Sequence, residues 1–121
     1  MTEAFFFDTY ALIELALGNP KYEKYKKAQA YVTIFNLAEL NYSLKKKISK
    51  QEADNYTKTY SVFEVPVELS DLEKAMDFKT QNRRLSIPDC IGYIMAEKLG
   101  VKFLTGDEGF EEMPNVEYVK K

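Results

Sequence analysis

The chain alternates between short apolar runs and longer stretches in which apolar residues recur every three or four positions. Short apolar runs bounded by polar residues are typical of strands buried on both faces, whereas the longer period is typical of helices with one buried side. The pattern predicts strands at residues 4–7, 31–35, 62–67, 101–104 and 116–119. It predicts helices at residues 10–17, 21–30, 36–48, 49–60, 70–84 and 86–99, and a turn or short helix at 106–110.

Strands separated by helices predict a parallel sheet that is covered on both faces. We therefore expect an α/β fold, a three-layer α/β/α sandwich with a central parallel sheet of four or five strands. The chain has 121 residues, of which 45% are hydrophobic and 30% charged. This composition is typical of a globular protein, and the length predicts a single domain over residues 1–121.

Several helix ends carry residues that favour capping. Asn36, Ser49, Ser70 and Ser86 are each placed to cap the start of a predicted helix, and Gly100 to end the last of them. In the helix that follows Asn36, the apolar stripe begins at Leu37 and leaves the acid at position 39 off the stripe.

The composition excludes several kinds of chemistry. The chain has no histidine, so a serine or cysteine triad, a zinc site of the histidine type and histidine-driven ribonuclease chemistry are excluded. The single cysteine, Cys90, is expected to be a small buried apolar residue in a reducing compartment. No apolar stretch reaches membrane-span length and no signal peptide is evident, so we expect a cytoplasmic protein without a membrane partner.

The formal net charge of −2 gives no overall attraction to nucleic acid, so any contact with a nucleic acid would depend on local basic patches. Candidates are Lys45–Lys47, Arg83–Arg84 and the lysines of residues 21–27, although each patch also fits an ordinary solvated helix face. The nine tyrosines could stack on bases. The spacing of Tyr42 and its neighbours fits helix packing equally well, and we favour packing.

Four acids follow predicted strands or begin predicted helices. Asp8 ends the first strand, Glu39 lies in the first turn of the helix after the second strand, Asp89 begins a late helix, and Asp107 follows the strand at 101–104. In open α/β sheets, ligands bind at the carboxyl ends of the strands. Each acid alone also fits a helix cap or a turn.

Taken together, the four acids predict a cation site. Two carboxylates about 4 Å apart repel each other by about 4 kcal/mol at an effective dielectric constant near 20. A bound divalent ion removes this repulsion, and Mg²⁺ or Mn²⁺ prefers oxygen ligands together with substrate phosphates.

The sequence resembles the PIN-domain nucleases, and especially the VapC-type toxins of prokaryotic toxin–antitoxin pairs. The resemblance spans nearly the whole chain and is carried by four stretches, FFFDTYALIEL, NLAELNYSL, IPDCIGYIMAEKLG and FLTGDEGF. It implies the PIN sandwich fold and Mg²⁺- or Mn²⁺-dependent endoribonuclease activity on an RNA substrate. It also implies a homodimer and a cognate antitoxin whose tail occupies the acidic groove.

On this basis we expect Asp8 and Asp89 to be the principal metal ligands. Glu39 would be a ligand or would orient and deprotonate the attacking water, and Asp107 would bind an ion directly or through water. Thr9 and Thr105 would hydrogen-bond the carboxylates or a phosphate.

Helix geometry adds candidate contacts with RNA. The face that carries Glu39 continues through Ser43 to Lys46, which we expect to contact phosphates beside the cleavage point. Arg83 and Arg84, just before the last helix, are further candidates.

Other interpretations stay open. A haloacid-type phosphatase needs a second aspartate where Tyr10 stands, and a response-regulator receiver needs an aspartate after its third strand, where the chain offers Glu68 and then Asp71. A third alternative is a PIN-like module that binds RNA or protein without catalysis. Many relatives carry a further acid or asparagine where this chain has Gly109, and this difference keeps that alternative open.

Overall fold

The computed structural model describes residues 3–120, so the outer ends of the predicted domain, residues 1, 2 and 121, lie outside the described residues. The strands of the described part are β1 (Ala4–Phe7), β2 (Gln29–Tyr31), β3 (Lys102–Thr105) and β4 (Val116–Tyr118). The α-helices are α1 (Thr9–Ala16), α2 (Ile34–Lys45), α3 (Lys50–Ser61), α4 (Leu69–Thr80) and α5 (Ile87–Leu99). Short 3₁₀ helices span Pro20–Lys27 and Glu108–Phe110. Between residues 3 and 120, no helix has the length and apolar character needed to cross a membrane.

The four strands form one parallel sheet in the order β2-β1-β3-β4. Phe6 in β1 pairs with Tyr31 in β2 and with Phe103 in β3, so β1 and β3 occupy the centre. The predicted parallel sheet is therefore confirmed, with four strands in the described part. Because all strands run the same way, their carboxyl ends meet at one edge of the sheet.

The phenylalanines of β1 explain the apolar run at the start of the chain. Phe5 and Phe7 lie in a core shared with α1, the first 3₁₀ helix, α2 and α3. Phe6 points the other way, into a core shared with α4 and α5, where its ring stacks on that of Phe103. A strand covered on both faces needs apolar side chains at every position. The predicted three-layer sandwich is confirmed.

Several predicted helix ends are confirmed. Ser49 caps α3, and its hydroxyl and the Glu52 carboxylate form a reciprocal capping box. Ser86 caps α5, which ends at Gly100 with a left-handed φ of 72°, a conformation that glycine adopts without strain.

The second strand and the following helix begin earlier than predicted. The strand expected at residues 31–35 is Gln29–Tyr31, and Asn36 is not the cap of α2. Thr33 is the cap instead, because its hydroxyl accepts a hydrogen bond from the Asn36 backbone N–H at 3.3 Å. The β-branched and aromatic residues after Thr33 favoured a strand locally, but they form the first turn of α2.

Three other predictions are wrong. The strand expected at 62–67 is a single bridge between Val32 and Glu64, because Pro66 lacks an N–H for a continuous ladder. The helix expected at 21–30 is the 3₁₀ helix that Asn19 caps, followed by β2. Helix α4 is capped at Glu68 rather than Ser70 and ends at Thr80, well before residue 84.

Candidate active site

An open cleft of about 360 Å³ lies at the carboxyl edge of the sheet. Its walls include Glu39 from α2, Asp89 from α5 and Asp107 from the segment after β3. Asp8, at the end of β1, is fully buried beside them, and its pKa responds to the charges of Asp89 and Asp107. The four predicted acids thus come from four separate segments to one place.

Asp8 combines a structural role with its position at the site. Its Oδ1 accepts a hydrogen bond from the Ala11 N–H at 2.7 Å and so caps α1. Its Oδ2 accepts a hydrogen bond from the Thr105 hydroxyl. Burial raises the pKa of Asp8 well above its usual range, and the nearby Asp89 raises it further, although these two hydrogen bonds oppose the rise. The capping interpretation of Asp8 is therefore correct alongside its position at the site.

Asp89 is the least satisfied acid of the cleft. Its backbone N–H donates to the Ser86 hydroxyl at 3.2 Å, but its side-chain Oδ1 is buried without a hydrogen-bond partner. Burial, followed by the charges of Glu39 and Asp107, raises the pKa of Asp89 to about 7. A buried carboxylate oxygen without a donor is costly, because the charged form loses its solvation.

Glu39 and Asp107 are more open to solvent. Glu39 lies in the second turn of α2 rather than the first, because the helix begins at Ile34. It faces the cleft, away from the buried Leu37 and Leu40. The Asp107 carboxylate caps the second 3₁₀ helix by accepting the Gly109 N–H at 2.9 Å.

The two threonines predicted to support the acids behave differently. Thr105 donates to Asp8 and accepts the Asp107 N–H at 3.0 Å, so one hydroxyl positions two acids. Thr9 lines the cleft, but its hydroxyl accepts a hydrogen bond from the Asn36 amide at 3.4 Å. The Thr9 hydroxyl thus contacts an amide, whereas the Thr9 backbone hydrogen-bonds the Asp89 carboxylate and opposes the rise of its pKa.

Asn36 is a residue of the site that the sequence analysis missed. It is fully buried, its Oδ1 accepts from the Thr33 hydroxyl at 2.6 Å, and its Nδ2 reaches the Thr9 hydroxyl and the Pro88 carbonyl, both at 3.4 Å. It therefore connects the starts of α1, α2 and α5, the helices that begin beside or carry Asp8, Glu39 and Asp89. The sequence did contain one indication of this role, because Asn36 lies three positions before Glu39 and therefore on the same helix face.

The three basic residues predicted to contact RNA lie in different parts of the structure. Lys46 lines the cleft together with Ser43 and Glu39, as expected from the helix face. Arg83 lies in a different depression, beside Met76 at the end of α4, and Arg84 is exposed in the turn before α5. Of the three candidates, the structure brings Lys46 into the acidic cleft.

The tyrosines differ in how deeply they are buried. Tyr22 and Tyr25 are buried, as helix packing requires. Tyr42 is 66% exposed and lines the cleft, so the prediction that it packs is wrong. Its position on α2, three residues after Glu39, places it on the same helix face as the acid.

The donor chemistry fits a hard divalent cation that keeps part of its water shell. In the described part of the chain, no group of three or more aspartate, glutamate or cysteine side chains is arranged so that all could hold one metal ion. Mg²⁺ does not need one, because it is commonly held by one or two carboxylates, several waters and substrate phosphates. The partnerless Oδ1 of Asp89, beside Glu39 and Asp107, is the oxygen that such an ion would satisfy.

Gly109 stands where many relatives carry a further acid or asparagine, and a side chain at this position would meet its neighbours. A Cβ at Gly109 would lie 2.6 Å from a methyl carbon of Leu85, which is buried. The Gly109 N–H also holds the Asp107 carboxylate. Glycine at this position therefore permits the close packing that orients Asp107, and a larger residue would have to displace Leu85.

Comparison with known proteins identifies relatives of this fold. The family model described as PIN domain matches residues 5–116. Among solved structures, a chain of a toxin–antitoxin complex from Klebsiella pneumoniae superposes with a TM-score of 0.79 at 20% identity, covering 97% of this chain and 99% of that chain. VapBC2 from Rickettsia felis, bound to a DNA fragment from its promoter, gives a TM-score of 0.71 at 13% identity, covering 98% of each chain.

A protein from Pyrobaculum aerophilum gives a TM-score of 0.72 at 20% identity, covering 98% of this chain and 92% of that chain. At identities this low, the likeness to these structures shows a shared fold and not a shared substrate. Comparison with curated proteins gives no significant match.

Proposed function

Because the chain belongs to the PIN-domain family of nucleases, we propose that it is a divalent-metal-dependent endoribonuclease that hydrolyses RNA phosphodiester bonds. We further propose that it is the toxin of a toxin–antitoxin pair. One observation carries the enzymatic proposal. Glu39, Asp89 and Asp107 line one cleft beside the buried Asp8, and Asp89 has a buried Oδ1 without a hydrogen-bond partner and a pKa raised to about 7.

In this proposal, Asp8 and Asp89 would hold Mg²⁺ or Mn²⁺, with Asp107 as a ligand directly or through water. The bound ion would lower the pKa of water and offset the negative charge that develops on the phosphate and on the leaving oxygen. Thr105 keeps Asp8 and Asp107 oriented through one hydroxyl, which limits the freedom of both carboxylates before substrate arrives.

Glu39 is suited to orient and deprotonate the attacking water. It is half-buried at the cleft wall, and its side chain projects from a regular helix and not from a loop. In the proposed reaction, its carboxylate orients a water and accepts a proton as the water oxygen bonds to phosphorus. The bond from phosphorus to the leaving oxygen breaks, and that oxygen takes a proton from solvent.

The proposed partners come from the structural relatives. Two of them are described as toxin–antitoxin assemblies, which supports an antitoxin as the protein partner of this chain. We also propose that the chain forms a homodimer and acts in the cytoplasm. The cleft is open and acidic, so a basic or amide-rich antitoxin segment could enter it and exclude substrate.

A catalytically impaired PIN-like module is the second candidate. The observation that favours it is the full burial of Asp8, whose two carboxylate oxygens are already used by Ala11 and Thr105. If Asp8 cannot reach an ion, the acids would serve binding and not hydrolysis.

Cleavage of labelled RNA by purified protein distinguishes these functions. We expect cleavage with added Mg²⁺ or Mn²⁺, none with EDTA, and at least a hundredfold slower cleavage by Asp89→Asn, as is typical for loss of a group acting in the transition state. Asp89→Asn is the sharpest variant because Asp89 does not use its Oδ1 for folding.

Asp77→Asn is the matched control, since Asp77 is an exposed acid on α4, outside the cleft. It should cleave like the wild type. Metal-dependent cleavage that persists at the wild-type rate in Asp89→Asn would come from a contaminant and would defeat the assignment. Metal-independent RNA binding without any cleavage would support the impaired module.

A further inference from the structure

Tyr42 lies at the rim of the acidic cleft, with most of its side chain exposed to solvent. Its side chain is 66% exposed, whereas other tyrosines such as Tyr22 and Tyr25 are buried. It shares the cleft wall with Glu39 and Asp89. The ring is therefore accessible to a molecule that enters the cleft, and an aromatic face can stack on a planar group of that molecule.

Lys46 lies over one face of this ring. Its Nζ is 4.2 Å from the centroid of the Tyr42 ring, within the range of a cation–π interaction. Tyr42 lies in the last turn of α2, and Lys46, four positions later, caps the end of that helix with helical backbone angles, so the two side chains are adjacent. An aromatic ring has two faces, and Lys46 occupies only one of them.

The charges around the cleft indicate where a nucleic acid would first bind. Asp89, Asp107 and Glu39 repel phosphates approaching from solvent, and among the described residues that line the cleft Lys46 alone is basic. A nucleic-acid strand would therefore meet its first favourable charge at the rim, beside Tyr42. Phosphate attraction and a planar apolar surface are the two elements of sites that bind single-stranded nucleic acid.

We propose that Tyr42 and Lys46 form a nucleotide-binding rim, in which a base stacks on the open face of Tyr42 and the adjacent phosphate contacts Lys46. This proposal rests on the proposed ribonuclease function and names the two residues that would bind a nucleotide beside the cleavage point. A base within a duplex is already stacked and paired, so only an unpaired nucleotide can use the Tyr42 ring. The rim therefore selects RNA that is single-stranded beside the cleavage point.

The test is RNA binding in EDTA, measured by fluorescence anisotropy with a labelled single-stranded oligonucleotide and with a duplex of the same length. EDTA separates binding from cleavage. We expect Tyr42→Ala to weaken single-strand binding about tenfold, the effect of losing one base–aromatic stack, and to leave duplex binding unchanged. Tyr42→Phe should bind like the wild type, because stacking needs the ring and not the hydroxyl.

Further variants separate stacking from charge and from general surface effects. Tyr42→Leu keeps an apolar side chain without an aromatic face and should bind as weakly as Tyr42→Ala. Lys46→Met should reduce the slope of log affinity against log salt by about 0.7, as expected for loss of one phosphate contact to a single strand. Tyr56→Ala is the matched control, since Tyr56 is 38% exposed on α3 and does not line the cleft.

Equal single-strand affinities of Tyr42→Ala and wild type overturn the proposal, as does equal weakening of single-strand and duplex binding. Wild-type protein that binds no RNA overturns it together with the RNA substrate. Protein that binds single strands through Tyr42 but cleaves nothing with Mg²⁺ supports the rim and refutes the proposed hydrolysis, so the two failures are distinguishable.

Discussion

The hydroxyl of Thr105 donates a hydrogen bond to the carboxylate of Asp8, and both residues are fully buried. The two are 97 positions apart in the chain, and they meet because β1 and β3 are neighbours in the sheet. The same hydroxyl accepts the Asp107 N–H at 3.0 Å. A single side chain thus fixes the relative position of two of the four acids.

Replacing Thr105 by valine should weaken both the fold and the activity. Valine preserves the shape but removes the donor to Asp8 and the acceptor for Asp107, leaving buried polar groups unpaired. We expect the free energy of unfolding in urea to fall by about 1–3 kcal/mol and cleavage to slow by about tenfold or more. Thr105→Ser keeps the hydroxyl and should retain most of both. A serine variant as defective as the valine variant would show that the methyl group, and not the hydrogen bonds, is responsible.

Asp89 should make the metal-free protein less stable as pH rises from about 4 to 7. The unfolded chain loses the Asp89 proton near pH 3.9, whereas the folded chain holds it to about pH 7. Within this window the folded state binds more protons, so its stability decreases with pH. Glu39 and Asp107 face Asp89 and strengthen the effect, and the raised pKa of Asp8 acts in the same direction.

Urea unfolding in EDTA across this pH range measures the effect, and Asp89→Asn isolates it. The variant has no proton to lose at this position, so its stability should decline less than that of the wild type. The expected difference accumulates to a few kcal/mol, at about 1.4 kcal/mol per unit of pKa difference. Parallel curves for the two proteins would show that Asp89 titrates normally in the folded state.

Much of the fold could be predicted from the local pattern of apolar and polar residues. The strongest strand and helix signals in the sequence were also the ones that tertiary contacts reinforce. The phenylalanine run at residues 5–7 and the stop at Gly100 are examples in which propensity and packing agree. The errors arose where local propensity was overridden. Residues 33–35 favour a strand but form the start of α2 once the Thr33 hydroxyl caps it, and residues 62–67 have strand composition but lack a complete ladder.

The site was less accessible to sequence reasoning. The positions of the four acids could be inferred because parallel strands bring their carboxyl ends together. The connections among them could not, since Asn36, Thr9 and Pro88 meet only after three helices have packed. The exposure of Tyr42 was equally hidden, because a tyrosine at helical spacing has the same pattern whether it faces the core or the cleft.

Replacing Asn36 by leucine should reduce activity more than its effect on stability alone explains. The leucine has a similar volume but leaves the hydroxyls of Thr9 and Thr33 without their amide partner. We expect kcat to fall about tenfold, as for other positioning contacts, with KM nearly unchanged. Asn41→Leu is the matched control, because Asn41 connects α2 to Asp54 and Thr57 of α3. Equal loss of kcat in both variants would indicate a general loss of helix order.

Replacing Gly92 by alanine should destabilise the protein, although alanine is the better helix former. A Cβ at this position would lie 2.6 Å from a ring carbon of Phe6 and 3.1 Å from one of Phe103, two buried rings that stack on each other. We expect the free energy of unfolding to fall by about 1–3 kcal/mol, the usual cost of overpacking a core. An unfolding midpoint at or above the wild-type value would mean that the rings move aside at little cost.

Mg²⁺ should stabilise the folded protein, and Asp89 should be required for that effect. An ion that binds only the folded state raises the free energy of unfolding by about 2.7 kcal/mol at one hundred times its dissociation constant. We therefore expect the thermal midpoint to rise with Mg²⁺ at pH 8, where Asp89 is ionised, and to rise less at pH 6, where a proton competes with the ion. The midpoint of Asp89→Asn should not respond, whereas that of Asp77→Asn should respond like the wild type. Because this measurement needs no RNA, a rise in wild type and Asp89→Asn alike would place the ion elsewhere, even if cleavage required metal.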